Sequence, residues 1–222
     1  MGNGQQSRIV KPLEKFDVEL VCDKIYHHLN LQRNRKINEL ATKEQELANK
    51  LRKQSRSYND TAIDIGVLVN LLKYITASKI VSRYSQLTKG HSMIIADCCK
   101  TNNFTPIREL SQYFEGIVWS TDKLNLSYIG EFNALIQRHF RPSDIQEIMK
   151  FNKVDKELLN CFASIEPTPV EIRDYLVQFL SRHNITNFQW PGGMAPLTGG
   201  QQQAVYLPPP PGAPAYPGQQ QG

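Results

Sequence analysis

The residues of this 222-residue chain that could carry chemistry are its histidines, its four cysteines and one long run of basic side chains. His27 and His28 are adjacent, as are Cys98 and Cys99. Neighbours on a helix point about 100° apart, so neither pair can share a metal ion without ligands from elsewhere. Cys22 and Cys161 lie far away, and no C-x-x-C spacing occurs. Core or surface positions are the expectation for all of them. No glycine loop for phosphate, no Ser/His/Asp spacing and no convergent carboxylates emerge. The sequence therefore predicts no enzyme, no cofactor and no metal site, and leaves the basic run as its chemical signal.

That run centres on RNRKINELATKEQELANKLRKQSR, Arg33 to Arg56. From Lys24 to Arg56 there are nine basic residues against three acids. On a helix, seven residues turn through about 700°, so Lys36, Lys43 and Lys50 drift by about 20° each and form one line. Arg33, Arg35, Arg52 and Lys53 extend the charge around the helix. The formal charge of +5 is unevenly placed: residues 1–56 hold 12 basic and 7 acidic groups, residues 101–187 hold 9 and 11. An anionic partner follows, either a phospholipid surface or a nucleic acid, with a solvated helix face as the bland alternative. No aromatic residue lies between Tyr26 and Tyr58 for base stacking, which makes nucleic acid the weaker reading. The seven basic residues are thus candidates for membrane binding.

The elements that must position this line are helical throughout. Ile37, Leu40, Leu47, Ala48 and Leu51 recur at spacings of three, four and seven, one narrow apolar stripe. The first helix is expected from Leu13, with Pro12 in its first turn, to about Ser55. SYND breaks it, and Asp60 is the expected N-cap of a second helix running toward residue 87 through Ile63, Val67, Leu71, Ile75, Ile80 and Leu87. Two long helices joined by a short turn should pack antiparallel. Shorter helices are expected at 107–119, 126–140, 142–151, 154–162 and 169–183, with Pro142 and Pro169 in first turns and Ser143 and Thr168 as capping candidates. Phe114 and Trp119 should bring the third helix onto the hairpin. No period-two pattern of useful length occurs, so the fold class is all-α. AIDIGVLVNLLKYI is broken by Asp64, Gly66, Asn70 and Lys73, well short of the roughly 18 to 20 apolar residues that span a bilayer, and no crossing is expected. Neither is a leader peptide, and the scattered cysteines suit a reduced, cytosolic compartment.

Three blocks in order, KINELATKEQELANKL, GIVWSTDKLNLSYIGEFNALIQRHF and VDKELLNCFASIEPTPVEIRDYLVQFLSRHNI, resemble ESCRT-III proteins of the increased-sodium-tolerance type, regulators of the AAA ATPase in multivesicular-body sorting. The resemblance covers residues 15 to 187. It implies a long α1/α2 hairpin with shorter helices folded back on it. It also implies reversible polymerisation with other ESCRT-III subunits on anionic endosomal membranes, membrane remodelling, a cytoplasmic and peripheral location, and no catalysis. An MIT-domain AAA ATPase is the further partner the family suggests, although the tail after Asn187 lacks the leucine-rich charged motif that docks there. By the same resemblance the last helix, with Val170, Ile172, Tyr175, Leu176, Phe179 and Leu180, should dock on the hairpin and restrain assembly.

The flanks divide the chain into a polar segment at 1–12, the helical domain at 13–187 and a tail at 188–222. The tail holds eight Pro, seven Gly, seven Gln and no charge, a composition that cannot order itself by burial. Within it Tyr206, Leu207, Pro208, Pro209, Pro210, Pro211 and Tyr216 favour a polyproline II form that aromatic grooves bind. A non-polymerising adaptor that scaffolds partners through this tail is the alternative to the ESCRT-III-like reading. Gly2 is a candidate for acylation, with Gln6 and then Ser7 where the usual pattern has Ser or Thr at the sixth position. One acyl chain binds membranes only marginally, so the basic helix would be its needed second signal.

Overall fold

The structure is a computed structural model that describes residues 11–54, 56–125 and 127–192. Every regular element among them is an α-helix: α1 (Lys15–Lys53), α2 (Tyr58–Gly90), α3 (Ser92–Thr101), α4 (Thr105–Glu109), α5 (Ser111–Trp119), α6 (Thr121–Leu124), α7 (Ser127–His139), α8 (Pro142–Ile148), α9 (Lys156–Cys161) and α10 (Pro169–Arg182). The all-α expectation holds, and the two long helices pack against each other. The chain divides into two compact units whose boundary falls within both long helices. One comprises the described residues of Met1–Asn34 with Lys73–Ile165, the other those of Arg35–Leu72 and Glu166–Gly222.

In the first unit the early half of α1 runs antiparallel to the late half of α2. The Ser85 hydroxyl donates to the Cys22 carbonyl at 2.5 Å, Lys89 meets Asp23 at 2.7 Å, and Ser92 reaches Glu19 at 3.2 Å. Falling numbers on α1 thus meet rising numbers on the partner strand of chain. Cys22, Ile25 and Leu29 are buried with Ala77 and Val81 in a core that α5, α7 and α9 complete through Ile117, Ile136 and Leu158. Phe114 lies at its centre, stacked on Phe132 at 5.7 Å and edge-on to Phe140 at 5.4 Å. Trp119 is only half-buried, edge-on to Phe162, with the Lys123 ammonium 4.0 Å from its ring centre. Gly116 permits a close approach: a Cβ there would stand 2.5 Å from the Tyr84 ring.

In the second unit the late half of α1 and the early half of α2 bury Leu40, Leu47, Ala48 and Leu51 with Ile65, Leu68 and Val69. Asp60, the expected N-cap of α2, lies inside the helix, which starts at Tyr58. Ser57 is the cap instead: its Oγ accepts from the Asp60 backbone N–H and donates to the Asp60 carboxylate at 2.7 Å. α10 begins as expected, with Pro169 in its first turn and a full capping box between Thr168 and Glu171. It ends where Asn184 turns left-handed and the Ile185 N–H returns to the Leu180 carbonyl.

Several expectations need correction. α1 starts at Lys15, leaving Pro12 outside the helix. Ser143 does not cap α8. Arg141 holds the N-cap position, and its guanidinium pairs with buried Asp144 at 2.6 Å. Beyond Asn187 the Phe188 and Trp190 rings meet at 5.3 Å and Trp190 faces Tyr58 at 6.1 Å. Finally, α2 is long and apolar enough to cross a membrane by length and composition. Ile65, Leu68, Val69, Leu71, Ala77 and Val81 on it are buried, the mark of a core helix.

Candidate functional site

The basic line on α1 separates into residues with and without partners. Lys36 is half-buried and pairs with Glu39 at 2.8 Å, one turn along the same helix. Arg52 donates to the His183 carbonyl at 2.9 Å and leans on Asn49, so its guanidinium satisfies a carbonyl at the end of α10. Lys43, Lys50, Arg35 and Lys53 make no ion pair among the described residues; Lys43 is half-buried and the other three are exposed. Arg33 belongs to the first unit, where it is half-buried. Four cations therefore remain for a partner on this part of α1, interleaved with Glu46.

The reason lies in helical phase. Taking Leu40 as the centre of the buried arc, Lys36, Lys43 and Lys50 fall about 40°, 60° and 80° to one side, and Glu44 and Arg52 about 40° and 120° to the other. The lysine side borders α2. Lys43 and Lys50 line a shallow hollow of about 100 Å³ with Glu46, Leu47, Asp64, Val67 and Leu68. Asp64 is held there by Arg56 at 2.5 Å, so its charge is already answered.

The opposite side receives α10. Tyr175, Leu176, Phe179 and Leu180 are buried and Ile172 is half-buried, but Val170 is 56% exposed. Val170 lies about 120° around the helix from Leu176, which turns it away from the core. Glu44 was not singled out by the sequence, yet it accepts from the Tyr175 hydroxyl and from Arg182. A lone acid beside a basic run gives no sign of this, because its partners lie more than 130 residues away.

No group of three His, Cys, Asp or Glu side chains able to hold a metal occurs among the described residues. His27 is exposed beside Tyr26, whereas His28 meets the Tyr128 ring edge-on at 5.2 Å. Cys22, Cys98 and Cys161 are buried and Cys99 half-buried. Burial pushes the Cys22 thiol up to about 12 and those of Cys99 and Cys161 to about 11, which makes them inert rather than nucleophilic. In the first unit a groove of about 630 Å³ runs between α1 and α7, with Leu20, Val21, Ala134 and Leu135 along it and the Lys24–Glu131 pair, 2.9 Å apart, at its side. Gly2 and the set Tyr206, Leu207, Pro208, Pro209, Pro210, Pro211 and Tyr216 lie outside the described residues.

Neither a family model nor a curated protein matches this chain.

Proposed function

We propose that this chain is an ESCRT-III-like subunit that assembles reversibly on anionic endosomal membranes with other ESCRT-III subunits and takes part in membrane remodelling and multivesicular-body sorting. The observation that carries the reading is the pair Lys43 and Lys50, one heptad apart on a 39-residue helix and free of ion pairs among the described residues. The order of the three resembling blocks supports it, as does the pairing of two long helices with α10 docked on the first.

Because Lys36 already has Glu39, most of the attraction to acidic lipid falls to Lys43 and Lys50. Each cation near an anionic surface contributes about 1 kcal/mol, so Lys43→Ala with Lys50→Ala weakens binding by about 2 kcal/mol, roughly thirtyfold. The loss shrinks at high salt as the screening length falls. Co-sedimentation with acidic liposomes measures it, and electron microscopy of the same samples looks for filaments. If the double variant pellets as the parent does, or the parent forms no assembly on acidic lipid, the reading is wrong.

A further inference from the structure

α2 is more apolar than its buried face requires. Ile63 is 71% exposed and Val67, one turn on, is 43% exposed, on the same side of the helix. Val67 lines the hollow that Lys43 and Lys50 also line. An isolated exposed valine would mean little, but here Val67 shares the hollow with two lysines that make no ion pair among the described residues, and exposed Ile63 lies one turn before it on the same side of α2.

Charge in this hollow favours an anion. Arg56 answers Asp64, which leaves Glu46 as the one unpaired carboxylate against two lysines among the residues that line it. Lys43 is half-buried, as suits a lysine that covers apolar surface with its aliphatic stem and keeps its ammonium in water. Apolar side chains flanked by reaching lysines match the boundary of a bilayer, where acyl chains lie just beneath anionic headgroups. A soluble anion would be met by the lysines and would have no use for Ile63.

We propose that Ile63 and Val67 enter the headgroup and acyl boundary of an anionic membrane while Lys43 and Lys50 hold its headgroups, so that the early half of α2 is part of the contact. This rests on the membrane reading above and deepens it. The attraction then has two parts: a salt-sensitive one from α1 and a salt-resistant one from α2.

The test uses the full chain and vesicles of phosphatidylcholine with or without phosphatidylserine. Ile63→Ser with Val67→Ser removes exposed apolar area and lowers binding to the acidic vesicles about tenfold at low and physiological salt alike, whereas Lys43→Ala with Lys50→Ala acts chiefly at low salt. Both side chains of the serine variant are exposed, and circular dichroism checks that it stays folded. A polarity-sensitive thiol dye on Ile63→Cys gives a second readout, since the four native cysteines are buried or half-buried. Its emission shifts to the blue on acidic vesicles and not on phosphatidylcholine alone. Acidic-vesicle binding that the serine variant keeps in full, with no dye shift, overturns this inference and leaves the membrane reading standing. Failure of the parent to bind acidic vesicles overturns both. A dye shift that follows protein concentration without vesicles assigns the face to a second copy of the chain and also overturns it.

Discussion

The hydroxyl of Tyr175 on α10 lies 2.5 Å from Glu44 Oε1 on α1, and the same carboxylate oxygen accepts from Arg182 Nη2 at 2.8 Å. The Arg182 guanidinium also lies over the Tyr175 ring at 5.4 Å. Burial and the neighbouring Glu44 both raise the Tyr175 hydroxyl, which keeps it a donor at any physiological pH. Toward the end of α10, Arg52 donates to the His183 carbonyl. The last helix is thus fastened by polar contacts from α1 beside the apolar set Leu176, Phe179 and Leu180. If assembly is restrained by α10, this is where the restraint is released.

Tyr175→Phe keeps the ring and removes one charge-assisted hydrogen bond, at a cost of about 1 to 2 kcal/mol. Glu44→Ala costs more, because it leaves the buried phenol and Arg182 without their acceptor. Hydrogen exchange of the amides in residues 169–182 reads the loosening directly, and denaturant unfolding gives its magnitude. Under the proposed function both variants also assemble on acidic liposomes at lower protein concentration than the parent. Unchanged amide protection in Glu44→Ala would mean that apolar packing alone holds α10.

His183 sets a pH dependence at the same place. Its imidazole is half-buried against Phe179, with ring centres 4.6 Å apart, and faces Glu44, Arg182 and Arg52. Burial holds it below the ordinary histidine range, Arg182 and Arg52 add to this, and Glu44 opposes it. His139 in the first unit is lowered too, by burial and Arg138. The folded state therefore prefers neutral histidine, and the unfolded chain takes up the protons first, near about pH 6.5. Stability is full above that value, falls as pH drops below it, and levels off once the folded histidines are themselves protonated. Glu115, raised by burial, acts in the opposite sense from the ordinary carboxylate range upward, so the histidine effect is read between about pH 6.5 and 5.5 as the difference between the parent and a variant lacking the two histidines, both of which keep Glu115. Melting temperature across that window falls for the parent and falls less for His139→Gln with His183→Gln; equal slopes would refute the assignment.

Much of the fold was legible because its signals are local. Apolar spacing marked α1 and α2, and Pro169 with Thr168 marked the start of α10. The start of α2 was misplaced because Ser57 and Asp60 are both good caps, and only their mutual hydrogen bonds decide between them. The site was less legible. Seven-residue spacing aligned Lys36, Lys43 and Lys50, but spacing cannot reveal that Glu39 takes one of them, or that Arg52 reaches a carbonyl 131 residues away. Ile63 and Val67 share the apolar repeat of α2 with buried Leu71, yet both are exposed, because a periodic pattern counts apolar residues without knowing which face meets a partner.

The boundary at Phe188 was set by composition, and composition is an average that two aromatic residues barely move. Phe188 and Trp190 are half-buried, with rings 5.3 Å apart, and Trp190 lies 6.1 Å from Tyr58 at the start of α2. Aromatic pairs of this kind contribute about 0.5 to 1.5 kcal/mol each beyond their buried area. Truncation after Gly192 should therefore leave the denaturant midpoint of the chain unchanged, since what is removed carries no charge and little that could pack. Truncation after Asn187 should lower stability by about 1 to 3 kcal/mol through loss of both pairs. Trp190→Phe keeps a ring and should recover part of that loss, while Trp190→Ala should behave like the shorter truncation product. Trp119 is the other tryptophan, so Trp119→Phe isolates the Trp190 emission, which should shift to the red when Tyr58→Ala opens the cluster. Equal stability of the two truncated chains would place the end of the folded domain at Asn187 after all.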